Sequence, residues 1–194
     1  MTARRCFVSG EGANEIGSLV REPPYDTEAP FDGVVQALVK SVAPETEIID
    51  GLAWRHVPKL RVGMRGQGVE ARVVRALRLR AKEAGSDALV FLRDRDGNRK
   101  RAQEIEAALE EPGHPAAGGV CIERLESWLL ALAGVAGAEG MSNGKVDKAL
   151  EEMGIPPKDT AKMVQLVEEQ GLDAAPPDAK ALRAWLAMLT SLLK

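Results

Sequence analysis

Four carboxylates follow two short apolar runs of the sequence, and they are suited to binding a divalent metal ion. Glu11 and Glu15 come after the first run, and Asp94 and Asp96 come after the second, Ala-Leu-Val-Phe-Leu. Carboxylates gathered in one place repel one another unless a cation lies among them. Hard oxygen ligands of this type favour Mg²⁺ or Mn²⁺, with water and phosphate oxygens completing the shell. The sequence therefore predicts a Mg²⁺ or Mn²⁺ site.

The elements around these acids would bring them to one edge of a sheet. Strands are predicted over residues 5–10, 47–57, 88–92 and 120–122, alternating with helices over residues 13–21, 31–42, 67–84, 99–111 and 123–133. Such alternation predicts an α/β fold with a mostly parallel, Rossmann-like sheet and helices on both faces. Ligands of open parallel sheets bind beyond the carboxyl ends of the strands, where Glu11 and Asp94 lie. In an extended segment Asp94 and Asp96 would point together, with Arg95 pointing away.

The sequence after residue 134 is only helical in pattern. Helices are predicted over residues 145–153, from Pro156 onward, and over residues 179–193, where the apolar spacing is strongest. Loops are expected over residues 22–32, 61–68 and 112–119, which are rich in proline or glycine. We therefore expect an α/β domain over residues 1–133 and a C-terminal helical cap over residues 134–194.

Each acidic position also has an ordinary structural interpretation. Asp-Arg-Asp-Gly-Asn is a common turn composition. Glu15 could be a first-turn acid that is stabilised by the helix dipole. Glu123 and Glu126 follow the fourth predicted strand, where they could complete the acidic cluster or belong to a solvated helix face. Acidic residues follow two of the predicted strands, and this combination favours the metal site over the ordinary interpretations.

Two motifs resemble those of the Toprim domain: Ser-Gly-Glu-Gly-Ala-Asn-Glu at residues 9–15 and Val-Phe-Leu-Arg-Asp-Arg-Asp-Gly at residues 90–97. That domain is shared by topoisomerases, primases and a class of nucleases. The chain is most similar to the bacterial domain-of-unknown-function family 4276, also through Cys-Ile-Glu-Arg-Leu-Glu-Ser-Trp at residues 121–128. The likeness covers roughly residues 5–133, so it implies a Toprim-like sheet.

The resemblance also implies a role for each acid. Glu11 would be a metal ligand and a candidate general acid or base, and Asp94 and Asp96 would be Mg²⁺ ligands. Glu15 matches the Glu-Gly-x-x-Glu version of the nuclease branch, in which the second glutamate helps bind a second metal. The implied function is a Mg²⁺- or Mn²⁺-dependent nuclease acting on DNA or RNA, in bacterial or phage defence. The alternative is a non-catalytic Toprim-like module that binds a nucleotide or a protein partner such as an ATPase.

A basic band surrounds the second acidic motif. Residues 55–101 contain 14 Lys or Arg against 5 Asp or Glu, although the whole chain has a net charge of −3. Such a band indicates a surface for an anionic partner, and plain solvation of arginine-rich helices is the alternative. The candidate nucleic-acid contacts are Arg65, Arg72, Arg75, Arg78, Arg80 and Arg95.

The remaining composition excludes several classes of protein. The sequence has no apolar run of about 18 residues, so we expect no membrane span. Cys6 and Cys121 both lie in predicted strands, which indicates reduced core thiols and a cytoplasmic protein. His56 and His114 have no second histidine or cysteine at zinc spacing, so a zinc site is not predicted.

Overall fold

In the described residues the sheet contains four strands, and every neighbouring pair is parallel. The structure is a computed structural model that describes residues 3–20, 30–58 and 68–194. The strands run in the spatial order β2-β1-β3-β4. Their bounds are Arg5–Gly10 (β1), Glu47–Ala53 (β2), Ala88–Asp94 (β3) and Ala116–Cys121 (β4). The predicted α/β class with a parallel sheet is confirmed.

Helices fill the connections between the strands and the whole C-terminal part of the chain. Short 3₁₀ turns occur at Gly17–Val20, Trp54–His56, Ala138–Gly140 and Leu172–Ala174. The α-helices are Ala13–Ile16 (α1), Val34–Val42 (α2), Val69–Glu83 (α3), Arg99–Glu110 (α4), Leu125–Leu132 (α5), Asn143–Glu152 (α6), Thr160–Gln170 (α7) and Lys180–Leu193 (α8). None of the described helices is long and apolar enough to cross a membrane.

Strand β3 is the centre of the hydrophobic core. Its residues Ala88–Leu92 are buried on both sides, which is why the run lacks polar alternation. Val90 and Leu92 belong to a core shared with α1, α2 and the C-terminal helices, whereas Leu89 and Phe91 belong to a second core with α3 and α4. Helices therefore cover both faces of the sheet, as expected.

The C-terminal helices pack onto one face of the sheet. Trp128 of α5 and Trp185 of α8 have ring centroids 5.6 Å apart. Glu139 is buried, and its carboxylate accepts hydrogen bonds from the backbone N–H groups of Leu182 and Ala181 at 2.8 and 3.2 Å. This carboxylate satisfies amides at the start of α8 that have no partner within the helix. The helical cap thus shares its core with α2 and α5.

Three sequence-based expectations are wrong in detail. The fourth strand begins at Ala116, although the composition of residues 112–119 predicts a loop. The helix expected from Pro156 onward, α7, begins at Thr160, because Asp159 caps it by accepting a hydrogen bond from the backbone N–H of Lys162 at 3.1 Å. The strand expected over residues 47–57 ends at Ala53, because the chain enters a 3₁₀ turn at Trp54–His56.

Candidate metal centre

The acidic positions meet at the point where the strand order of the sheet reverses. From β1 the chain crosses to β2 on one side, and later it returns to place β3 on the other side of β1. Because the helices that follow β1 and β3 pack on opposite faces, the carboxyl ends of these two strands flank the position where open α/β sheets form their ligand crevice. Glu11 follows β1, and Asp94 is the last residue of β3.

Asp94 is one of two inner carboxyl groups of the crevice. The backbone N–H of Leu125, at the start of α5, donates a hydrogen bond to Oδ1 of Asp94 at 2.8 Å. The backbone N–H of Asp94 in turn donates a hydrogen bond to Oε1 of Glu11 at 3.2 Å. The pKa of Asp94 is raised from 3.8 to about 8, first by burial and then by the negative charges of Glu11, Glu15, Glu126 and Asp96, in that order. Asp94 therefore carries a proton at neutral pH unless a cation replaces it.

Glu15 is the second inner carboxyl group, and its side chain reaches back over the loop that leaves β1. The residue is buried, and its Oε2 accepts a hydrogen bond from the backbone N–H of Gly12 at 2.7 Å. The pKa of Glu15 is raised from 4.5 to about 7: burial has the largest effect, backbone hydrogen bonds such as that from Gly12 oppose it, and the charges of Glu11 and Glu126 add to it. Gly10 permits this conformation, since a Cβ on residue 10 would lie 2.2 Å from Cβ of Glu15.

Each of the other four predicted acids is paired with an arginine. Glu11 forms an ion pair with Arg93. The other pairs are Arg101–Asp96 at 2.6 Å, Arg95–Glu123 at 3.1 Å and Arg124–Glu126 at 3.5 Å. Arg124 also forms an ion pair with Asp147 of α6. All six predicted acids thus lie at the same edge of the sheet. Glu15 and Asp94 form an inner pair with no basic partner in the described chain. The other four form an outer set, and each of them is paired with an arginine.

Asp94 and Asp96 do not point the same way, contrary to the expectation from strand alternation. Alternation requires extended backbone, and β3 ends at Asp94. Asp96 has φ 48°, in the left-handed region, and the following Gly97 has φ 70°. The segment is therefore a turn, and it directs the carboxylate of Asp96 toward Arg101 of α4. Asp96 is the most exposed of the paired acids, with 57% of its side chain accessible.

A seventh acid, Glu70, organises the arginines of the site and is not among the acids that the sequence predicts. Its carboxylate accepts hydrogen bonds from Trp54 Nε1 and Arg101 Nε, both at 3.1 Å, and lies 3.6 Å from Arg93 Nε. The guanidinium carbon of Arg93 also lies 5.4 Å from the ring centroid of Trp54. Glu70 thereby fixes the two arginines that hold Glu11 and Asp96. The signal in the sequence is only a single acid near the start of a basic helix.

The donor atoms and the electrostatics of the inner pair fit a divalent cation. No lysine, arginine or histidine in the described parts of the chain forms an ion pair with Glu15 or Asp94, and burial penalises both anions. A cation bound by these carboxylates would remove their mutual repulsion. In this arginine-paired conformation, no three acidic, histidine or cysteine side chains of residues 3–20, 30–58 and 68–194 are grouped to hold a metal ion. Binding of a metal ion would therefore require outer acids such as Glu11 to break their ion pairs with the arginines.

Most of the predicted nucleic-acid contacts on α3 serve the fold. Arg78 donates hydrogen bonds to the backbone carbonyls of Ala108, Leu109 and Glu111, which end α4, and Arg75 forms an ion pair with Glu111. Arg80 pairs with Glu83 on the exposed surface.

The other candidate nucleic-acid contacts are Arg65, Arg72 and Arg95. Arg72 is half-buried on α3, and Arg65 lies outside the described residues. Because α3 starts near the acidic edge and rises by about 1.5 Å per residue, Arg78 and Arg80 lie far from that edge. Arg95, which pairs with Glu123, is the only one of the predicted contacts in the described chain that belongs to the acidic edge itself.

No family model matches the chain, and comparisons with curated proteins and with solved structures found no similar protein. The Toprim likeness of the motifs at residues 9–15 and 90–97 therefore stays a prediction from the sequence.

Proposed function

We propose that the protein is a Mg²⁺- or Mn²⁺-dependent phosphoesterase, and specifically a nuclease that hydrolyses phosphodiester bonds in DNA or RNA. The observation that carries the proposal is the pair Glu15 and Asp94: one buried and one half-buried carboxyl group at the crevice between β1 and β3, with no basic partner in the described chain. Ionised carboxyl groups at such a place are stable only when a cation lies between them. The Toprim-like order of Glu11, Glu15, Asp94 and Asp96 along the chain agrees with this assignment.

The roles of the side chains follow from their positions. Asp94 and Glu15 would hold the metal, and Glu11 would join them after leaving Arg93. Bound divalent ions supply an activated water and neutralise charge on the phosphodiester. Glu11 accepts a hydrogen bond from the backbone N–H of Asp94 and has 33% of its side chain accessible, so it can take or return a proton at the reacting oxygen. Asp96, Glu123 and Glu126 would complete the outer ligand positions.

Arginines released from the outer acids would then face the substrate. Arg93 and Arg101 already lie at the acidic edge, and Glu70 keeps both in place when their other partners leave. A guanidinium group binds phosphate oxygens with two donors and stabilises the negative charge that develops during hydrolysis. We place this activity in the bacterial cytoplasm, in defence against phage or other mobile DNA, with an ATPase as a candidate partner.

A cleavage assay tests the proposal directly. Purified protein is incubated with plasmid DNA and with single-stranded RNA in Mn²⁺, Mg²⁺ or chelator. We expect metal-dependent cleavage by the wild-type protein and by Asp173→Asn, a control that removes an exposed acid from the helical cap. Asp94→Asn preserves the acceptor for the backbone N–H of Leu125 but should abolish cleavage. Full activity in the Asp94→Asn protein would overturn the assignment.

One observation favours a second function, a non-catalytic module that binds a nucleotide or a protein partner. Arginines already neutralise Glu11, Asp96, Glu123 and Glu126 without any metal. An edge that is neutral by itself can serve as a recognition surface. Calorimetric titration with Mn²⁺ separates the two functions: tight binding without cleavage of DNA, RNA or nucleotides supports the binding module, and binding together with cleavage supports the nuclease.

A further inference from the structure

An apolar groove runs along the outer edge of β4. It has a volume of about 540 Å³ and lies between α4 and α8. Gly118 and Val120 form part of its floor, Leu109 lines the α4 side, and Trp185 and Met188 line the α8 side. Met188 is 40% exposed although it is a large apolar residue. The groove thus combines an apolar surface with the backbone of a strand.

The backbone of β4 offers hydrogen-bonding groups to this groove. The carbonyl oxygens of Pro115 and Cys121 accept hydrogen bonds at 2.9 Å from the backbone N–H groups of Leu89 and Arg95, on the β3 side. Because backbone groups alternate in direction along a strand, those of Ala116, Gly118 and Val120 face away from the sheet. Within the described part of the chain, no strand pairs with this side of β4. An exposed edge of this kind is a template for a further strand.

The charges of α4 are arranged against its own helix dipole. Arg99 and Lys100 occupy the first turn, whereas Glu106 and Glu110 lie near the end, and all four are exposed. Acids are favoured at the start of a helix and bases at its end, so this order is unfavourable within one molecule. Arg99 and Glu110 are about three turns apart on one side of the helix. Glu106 and Glu110 border the groove.

We propose that the groove binds a second copy of this chain, through antiparallel pairing of β4 with β4 of the partner about a two-fold axis near Gly118. This register opposes Ala116 to Val120 of the partner subunit and uses the outward backbone groups of both strands. The α4 helices then run antiparallel, so that Arg99 faces Glu110 of the partner subunit. The charge order that is unfavourable in one copy becomes complementary across the axis, as an isologous interface requires. The two sheets form one continuous sheet.

Charge reversal at the two ends of α4 tests this dimer with the full chain. Sedimentation equilibrium measures the dissociation constant, and we expect the wild-type protein to be a dimer. Arg99→Glu and Glu110→Arg each create two like-charge contacts and should raise the dissociation constant about tenfold or more. The double variant restores complementarity and should return the constant to near its original value. Glu151→Arg, an exposed reversal on α6, serves as the control and should leave the dimer unchanged.

Hydrogen exchange supplies a readout of the pairing itself. The outward amides of Ala116, Gly118 and Val120 should exchange slowly in the wild-type protein and rapidly in either single variant. A monomeric wild-type protein at high micromolar concentration overturns the proposal. So does a dimer that tolerates both single reversals, or a double variant that does not recover.

Discussion

Replacement of Asp94 by asparagine should stabilise the metal-free protein at alkaline pH. The folded-state pKa of Asp94, about 8, lies above its ordinary value of 3.8, so the folded protein retains this proton when the unfolded chain has lost it. Stability due to Asp94 is therefore greatest below the unfolded pKa and is lost as the pH rises toward the folded pKa. The slope is about 1.4 kcal/mol per pH unit across this window. Asparagine stays neutral at every pH, so the Asp94→Asn protein does not lose stability over this pH window.

The two side chains have nearly the same shape, which makes the comparison a measure of charge. The asparagine introduced by Asp94→Asn can still accept the hydrogen bond that the backbone N–H of Leu125 donates to Asp94 at 2.8 Å. At about pH 4 the wild-type and variant proteins should therefore have similar stability, whereas at about pH 8 the variant should be more stable by several kcal/mol. Urea denaturation in the presence of chelator, followed by tryptophan fluorescence, measures both values.

Divalent metal should narrow the stability difference between the two proteins at about pH 8. A ligand at one hundred times its dissociation constant stabilises the folded state by about 2.7 kcal/mol, and only the wild-type protein keeps the full carboxylate pair. Asp173→Asn is the matched control, because that acid is exposed and remote from the crevice. If Asp94→Asn lowers stability equally at both pH values, then burial does not raise the pKa of Asp94 in the folded protein.

Three further predictions concern Glu70 at the site, Glu139 in the helical cap and the two cysteines of the sheet. Glu70→Gln removes the charge between two arginines that are each less than 15% exposed, so it should destabilise the fold by about 3 kcal/mol in urea denaturation. Glu139→Ala removes two hydrogen bonds from the start of α8 and should lower stability by about 1–2 kcal/mol, seen as a lower thermal midpoint. Burial raises the pKa of Cys6 to about 11 and that of Cys121 well above its ordinary range, so both thiols should resist iodoacetamide until the protein unfolds, as mass spectrometry would detect.

The strands and helices with a clear apolar pattern could be predicted from the sequence. The run at residues 88–92 indicates a strand buried on both sides, and α8 buries the expected residues Leu182, Trp185 and Leu189. The start of β4 could not be predicted, because Ala-Ala-Gly-Gly has the composition of a loop. Gly118 and Gly119 are there because aromatic rings fill their space: a Cβ on Gly118 would lie 2.2 Å from the ring of Phe91. Only the tertiary packing carries that information.

The sequence also predicts which acids gather at the carboxyl edge of the sheet, since strand ends alone determine that. It does not predict how the acids divide between buried and paired positions. Arg93 reaches Glu11 from a distant part of the chain, and Glu70 of α3 links Arg93 to Arg101. Nor does it predict the left-handed turn at Asp96, which breaks the alternation expected to join the two aspartates.

The most direct test of the metal centre is an anomalous scattering map from crystals soaked in Mn²⁺ at mildly alkaline pH. We expect a peak in the crevice between β1 and β3, coordinated by Asp94 and Glu15, with Glu11 turned away from Arg93. A map in which the ion pair between Glu11 and Arg93 is intact and no peak lies at this edge would contradict it.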